Sequence, residues 1–217
     1  MTFFSLALVA GYFNGSSYPT KYAELGLALS AFFCFWTSVY VLNDLSDLDV
    51  DRINGLNRPL PRGRARPSQY RLAFGTLSLV GILLSLVLPI GSGICLLGCW
   101  VLGVSYSVGV EIKRLPGFSL LPPAGSFSLL IISGSFLRGE ITTAASFLSA
   151  VMFVLVSIAG NVKDLGDVAG DRYGGRRTIA MTAGVKTTAL LNVLTSVIIG
   201  GLVVLSFKFL PLSLIHI

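Results

Sequence analysis

Apolar residues in this chain gather in long unbroken runs. They do not show the spaced pattern of a water-soluble helix or the alternation of a half-buried strand. Seven runs stand out, at residues 2–13, 25–42, 72–90, 91–110, 118–137, 144–162 and 187–207. A helix needs about 20 such residues to cross the hydrocarbon of a bilayer, so the pattern predicts an all-α, polytopic transmembrane helix bundle. The first run is short for a span. It starts at Met1 without the basic lead of a signal peptide, and is read as a truncated first helix.

The polar stretches between the runs alternate in charge. The stretch after the second run carries Arg52, Arg58, Arg62, Arg64, Arg66 and Arg71. The stretch after the fourth carries Lys113 and Arg114, and the one after the sixth Arg172, Arg176, Arg177 and Lys186. The intervening ones hold only Lys21 and Arg138. Successive crossings put the three basic stretches on one side, and an excess of Lys and Arg marks a cytoplasmic face.

Composition agrees with a multi-pass membrane domain. Only 12% of the 217 residues are charged, against about 25% in soluble domains, which leaves too little polar surface for a water-facing coat. The net charge of +6 does not point to nucleic acid, because the basic residues sit in loops between spans, where they meet anionic lipid head groups. Cys34, Cys95 and Cys99 lie inside apolar runs and read as small core residues, with no disulfide framework implied. One domain is expected over residues 1–211. The last six residues, 212–217, spell LSLIHI and are read as a non-native tail translated from a sequencing adapter. On that reading the chain is a fragment, and its one histidine, His216, carries no chemistry.

All seven aspartates fall in two short stretches, Asn43-Asp44-Leu45-Ser46-Asp47-Leu48-Asp49-Val50-Asp51 and Asp164-Leu165-Gly166-Asp167-Val168-Ala169-Gly170-Asp171. Each stretch closes an apolar run. At about 100° per helical residue, Asn43, Asp47, Asp51 and Asp44 fall at roughly 0°, 40°, 80° and 100°, one face, while Asp49 falls near 240° and points away. Asn161, Asp164, Asp167 and Asp171 likewise span about 120°, although Gly166 and Gly170 loosen that helix. Stacked carboxylates at a helix C-terminus repel one another and the macrodipole. Arg or Lys, protonation or a metal must neutralise them. An oxygen-only donor set suits Mg²⁺, which commonly bridges carboxylates and substrate phosphates. Arg58, Arg62, Lys113, Lys163 and Arg172 are placed to complete a diphosphate cage. A divalent-cation transporter also needs intramembrane carboxylates, but sets them along a pathway near the midplane, not crowded at one end beside basic residues.

These two stretches resemble the motifs of the UbiA family of intramembrane prenyltransferases. NDxxDxxxD is matched by Asn43, Asp44, Asp47 and Asp51, followed by Arg52-Ile53-Asn54 and Asn57-Arg58-Pro59-Leu60-Pro61. DxxDxxxD is matched by Asp164, Asp167 and Asp171, with Lys163 before it and Arg172 after it. Tyr106-Ser107 at a helix end and Lys113 also fit the family pattern. The resemblance implies a nine-helix fold, of which about seven helices are visible. It further implies that Asp44, Asp47, Asp51, Asp164, Asp167 and Asp171 hold Mg²⁺ and the diphosphate of a prenyl donor. Asn43, Arg58, Tyr106, Lys113, Asn161, Lys163 and Arg172 are then the substrate-binding set. The short link from Asp51 to Asn57-Arg58-Pro59 is similar to members using geranylgeranyl donors. It leans the expected acceptor towards a glycerol-phosphate lipid, with an aromatic acceptor of the 4-hydroxybenzoate type as the alternative.

Overall fold

The computed structural model describes residues 2–14, 22–53, 57–108, 120–173 and 178–209, with the side chains at 2–3, 50, 53, 163–164, 166–173 and 205–209 outside that description. Among the described residues all regular structure is helical: α1 (Thr2–Phe13), α2 (Tyr22–Ser46), α3 (Leu48–Ile53), α4 (Pro67–Val87), α5 (Ile90–Ser107), α6 (Leu121–Leu137), α7 (Thr143–Tyr173), α8 (Ile179–Ala183) and α9 (Val185–Phe209). Five of these, α2, α4, α5, α7 and α9, hold stretches long and apolar enough to cross a bilayer, and α1 and α6 are apolar but shorter. The seven expected apolar helices are therefore all present, and the chain is an integral membrane protein.

Boundaries depart from expectation where local chemistry intervenes. The break between the third and fourth runs falls at Leu88 and Pro89, because proline has no N–H to continue the ladder and opens α5 as its N-cap. The short α3 and α8 were hidden in polar sequence. Gly184, at φ +87°, closes α8 in a conformation that favours glycine. Helix α7 runs for 31 residues, of which Thr143–Val162 form the span. Its remainder carries the second aspartate stretch, unbroken through Gly166 and Gly170.

Helix α4 reverses the polarity of a soluble helix. Ser78, Gly81 and Ser85 face inward, while Leu72, Leu79, Leu83 and Leu86 are exposed. In a bilayer the exposed leucines meet lipid tails, and small inward residues let backbones approach. A Cβ on Gly81 would lie 2.7 Å from the Phe35 ring of α2. Helix α6 is the most enclosed, with Ala124, Leu130, Ile131, Ser133 and Ser135 buried. Its serines satisfy themselves across helices. Ser133 and Ser92 of α5 share a hydroxyl–hydroxyl bond of 2.8 Å. Ser128 donates to the Ser149 carbonyl of α7 at 2.9 Å, and Ser149 donates back at 3.3 Å. Closest of all is the contact of α1 with α6: a Cβ on Gly134 would sit 2.1 Å from the Leu8 carbonyl oxygen, and one on Gly11 1.9 Å from that of Ile131.

That contact tolerates no added atoms on either glycine. Gly134→Val is expected to lower the thermal midpoint of the detergent-solubilised protein through at least the usual overpacking penalty of about 1–3 kcal/mol. Gly26→Val, where a Cβ meets nothing within 4 Å, is expected to leave the midpoint close to wild type. Equal midpoints for the two variants would contradict the α1–α6 packing.

Candidate active site

The first aspartate stretch lies where α2 ends and the chain turns. Helix α2 stops at Ser46 and α3 begins at Leu48, so the helix is interrupted at Asp47. Two bonds carry the helical register across the break: Asp47 N–H donates to the Asn43 carbonyl at 2.9 Å, and Asp51 N–H to the Asp47 carbonyl at 2.8 Å. The expected stripe therefore survives. Asn43 Nδ2 donates to Asp47 Oδ2 at 3.0 Å. Arg58 Nη1 donates to Asp44 Oδ1 at 3.0 Å and to Asp51 Oδ2 at 2.9 Å. Asp49 points away, 90% exposed, and pairs with Arg52 on its own helix at 3.4 Å.

Burial differs along the stripe. Asp51 is 5% exposed, whereas the Arg58 side chain is 45% exposed. A buried carboxylate demands a partner, and Arg58 reaches it from a loop whose backbone is fixed. The Arg64 N–H donates to the Pro59 carbonyl at 2.9 Å and Gly63 N–H to the Leu60 carbonyl at 3.1 Å. Leu60 itself is buried, 1% exposed. The loop is thus pinned two residues from the guanidinium it presents.

Behind the stripe opens a chamber of about 300 Å³, at the small end of ligand pockets. Trp36, Val39, Tyr40 and Asn43 of α2 form one wall, Gly103, Tyr106 and Ser107 of α5 another, and Pro122, Pro123 and Ser126 of α6 the third. Its lining is mainly apolar, with Asn43, one turn before Asp47, and the side chains of Tyr40, Tyr106, Ser107 and Ser126 as its polar members. An aromatic column backs it, with Tyr40 5.4 Å from Trp36, Trp36 4.2 Å from Phe4 and Phe4 4.1 Å from Phe127. The sequence reading missed these walls apart from Asn43 and Tyr106. A signal was present: Trp36, Tyr40, Asn43 and Asp47 follow helical spacing, so extending the acidic face back along α2 reaches the chamber.

The second stretch approaches the same end of the bundle. A Cβ on Gly160 would meet the Leu120 side chain at 2.3 Å, which puts this part of α7 beside the start of α6, where Pro122 and Pro123 line the chamber. Asn161 follows, its Oδ1 buried without a hydrogen-bond partner among the described residues. Lys163, Asp164, Asp167, Asp171 and Arg172 continue along the α7 backbone, but their side chains lie outside the described residues, as does the whole of Lys113. Among the described residues no three acidic, His or Cys side chains are grouped for a metal. The donors present still suit one. Asp44 and Asp51 aim oxygens at a single cationic nitrogen, and every potential donor is a hard oxygen, the chemistry Mg²⁺ prefers.

An all-helical membrane bundle in which a stripe of carboxylates runs on from Asn43, a residue of the chamber lining, places the chain among intramembrane enzymes. The family model described as the UbiA prenyltransferase family matches residues 2–217, and the chain belongs to that family. It is similar to the digeranylgeranylglyceryl phosphate synthase of Sulfurisphaera tokodaii, 28% identical over 94% of this chain and 72% of that one. It is also similar to that of Korarchaeum cryptofilum, 31% identical over 81% of this chain and 62% of that one. The fold matches a solved UbiA homologue from Archaeoglobus fulgidus bound to GPP and Mg²⁺, with a TM-score of 0.76, 19% identity and coverage of 91% of this chain and 70% of the homologue.

The Asp51–Arg58 contact is expected to be coupled energetically. Arg58→Ala should destabilise the protein by about 1–2 kcal/mol, discounted for the exposure of the guanidinium, and by much less in an Asp51→Asn background. Strictly additive thermal shifts across that double-mutant cycle would show that the contact contributes nothing.

Proposed function

We propose that this chain is the membrane part of a Mg²⁺-dependent prenyltransferase that moves a geranylgeranyl group from its diphosphate onto a glycerol-phosphate lipid. The carrying observation is the chamber: a mainly apolar volume walled by three helices, with Asn43 on its lining beside carboxylates that already share one cation. An anionic head bound at the stripe leaves its apolar tail nowhere better to go than the space behind it. The names of the relatives support the lipid acceptor, as does the short link from Asp51 to Arg58.

In the reaction so proposed, the bond between the allylic C1 and the diphosphate oxygen breaks, and its electron pair leaves with the diphosphate. The acceptor hydroxyl oxygen bonds to C1 and its proton passes to the released diphosphate, so an ether forms. Asp44, Asp47 and Asp51 together with Asp164, Asp167 and Asp171 would hold Mg²⁺, which when bound would supply positive charge to the departing diphosphate. Arg58, Lys113, Lys163 and Arg172 add cationic donors for phosphate oxygens. Asn43 orients Asp47 through its amide. Tyr106 offers a ring wall at the chamber mouth, where electron-rich π faces favour positive charge at C1. The unpartnered Asn161 Oδ1 is a hydrogen-bond acceptor for the incoming hydroxyl. Trp36, Val39 and the two prolines exclude the water that would otherwise capture the cationic carbon.

The site is assigned to the cytoplasmic face, because Arg62, Arg64 and Arg66 stand exposed on the loop that carries Arg58. Arg64→Cys should react with a membrane-impermeant thiol reagent in inverted vesicles and stay protected in intact cells. The reverse pattern would place the site outside.

Activity is tested with radiolabelled geranylgeranyl diphosphate, Mg²⁺ and a panel of glycerol-phosphate and aromatic acceptors in membranes. Asp47→Ala and Asp167→Ala should each reduce product about a hundredfold or more, the size of loss seen when electrostatic stabilisation of a transition state is removed. Product formed at wild-type rates by both variants would overturn the site. Product on the aromatic acceptor alone would overturn the lipid assignment.

A further inference from the structure

Arg58 occupies the place where a metal would have to act. Its Nη1 lies 3.0 Å from Asp44 Oδ1 and 2.9 Å from Asp51 Oδ2, so it holds oxygens from two of the three motif carboxylates. A divalent cation seeking the same oxygens meets a positive group already there, and like charges at contact distance repel strongly outside bulk water. Nor can Arg58 simply leave. Asp51 is 5% exposed, and stripping its partner leaves a buried charge without compensation. The other arginine on this stretch, Arg52, is engaged with Asp49 on the opposite face.

We propose that Arg58 is an exchangeable counter-ion that couples the two halves of the substrate complex. The metal takes over the Asp44 and Asp51 oxygens more readily when a diphosphate is present to receive the displaced guanidinium. Three features make the exchange feasible. The side chain is nearly half exposed, so it can swing. Its backbone is fixed by the turn through Leu60, Gly63 and Arg64, so it swings about a constant anchor. A guanidinium binds phosphate oxygens as readily as carboxylate oxygens, and through two parallel bonds. Arg58 is thus a positioning residue for metal entry as well as a phosphate contact. Free divalent cation alone loads the site weakly, and so does diphosphate without it. The proposal rests on the metal–diphosphate reading above.

Equilibrium dialysis of the detergent-solubilised chain against Mn²⁺, with and without inorganic diphosphate, tests it. In wild type, diphosphate should tighten Mn²⁺ binding about tenfold or more, within the usual span of coupling between two ligands, and Mn²⁺ should tighten diphosphate binding by the same factor. Arg58→Gln should bind Mn²⁺ alone about tenfold more tightly than wild type and lose most of the enhancement by diphosphate. Arg64→Gln, which removes an equal charge from the same loop without touching a carboxylate, should behave as wild type in both respects. Should Arg58→Gln elute as aggregate in size-exclusion chromatography, the wild-type pair of measurements still decides: Mn²⁺ bound equally well with and without diphosphate overturns the coupling. Equal gains in Arg58→Gln and Arg64→Gln overturn it too, since bulk charge would then suffice. No Mn²⁺ binding to wild type under either condition would instead sink the metal–diphosphate reading itself.

Discussion

Carboxylates crowded at the end of a transmembrane helix repel, and the structure is organised around answering that repulsion. Asp44 lies in the last turn of helix α2, and Asp47 and Asp51 carry its register on into α3, at the pole where the α2 dipole is negative. Asn43 and Arg58 supply the opposing hydrogen-bond donors and charge. To deliver Arg58, the chain must double back after α3 and pin itself through Leu60 before it can enter α4. The course of this loop is therefore set by charge balance, and α4 starts where the loop lets it.

The remaining helices solve a different problem, that of approaching closely without a hydrophobic drive between them. Inside a bilayer, lipid tails compete on equal terms with leucine for apolar contact. The bundle uses glycine to bring α1 against α6 and α2 against α4, and serine pairs to tie α6 to α5 and α7. Close packing on one side of α6 contrasts with the open chamber near its start. There Pro122 and Pro123 occupy the first turn, where the missing N–H groups would have had no helical partner in any case. Tight and loose regions thus sit on one helix, and the loose end lies beside the acids.

Much of this was legible in the sequence. Runs of apolar residues gave the helices, because burial in lipid leaves little room for any other pattern. The stripe Asn43, Asp44, Asp47 and Asp51 was legible because helical periodicity alone places them together, and Asp49 was correctly turned away. The interruption at Asp47 was not, since the hydrogen-bond register passes across it unchanged. The Arg58 bridge was only half visible: its charge marked it as a phosphate contact, but not as the partner of Asp44 and Asp51, which depends on the path of an irregular loop. The chamber was least visible. Val39, Gly103 and Pro122 come from different helices, and their meeting is a product of packing rather than of spacing.

The aromatic column has a practical side. The chain holds two tryptophans, and their surroundings are unlike. Trp100 donates its indole N–H to the Ser38 hydroxyl at 3.2 Å and stands away from the chamber lining, whereas Trp36 faces the chamber and is braced by Phe4, Phe32 and Tyr40. An isoprenoid tail entering that space would change the polarity around one indole and leave the other untouched. The protein therefore carries a built-in optical reporter of lipid occupancy, readable from its native ultraviolet emission with no attached dye.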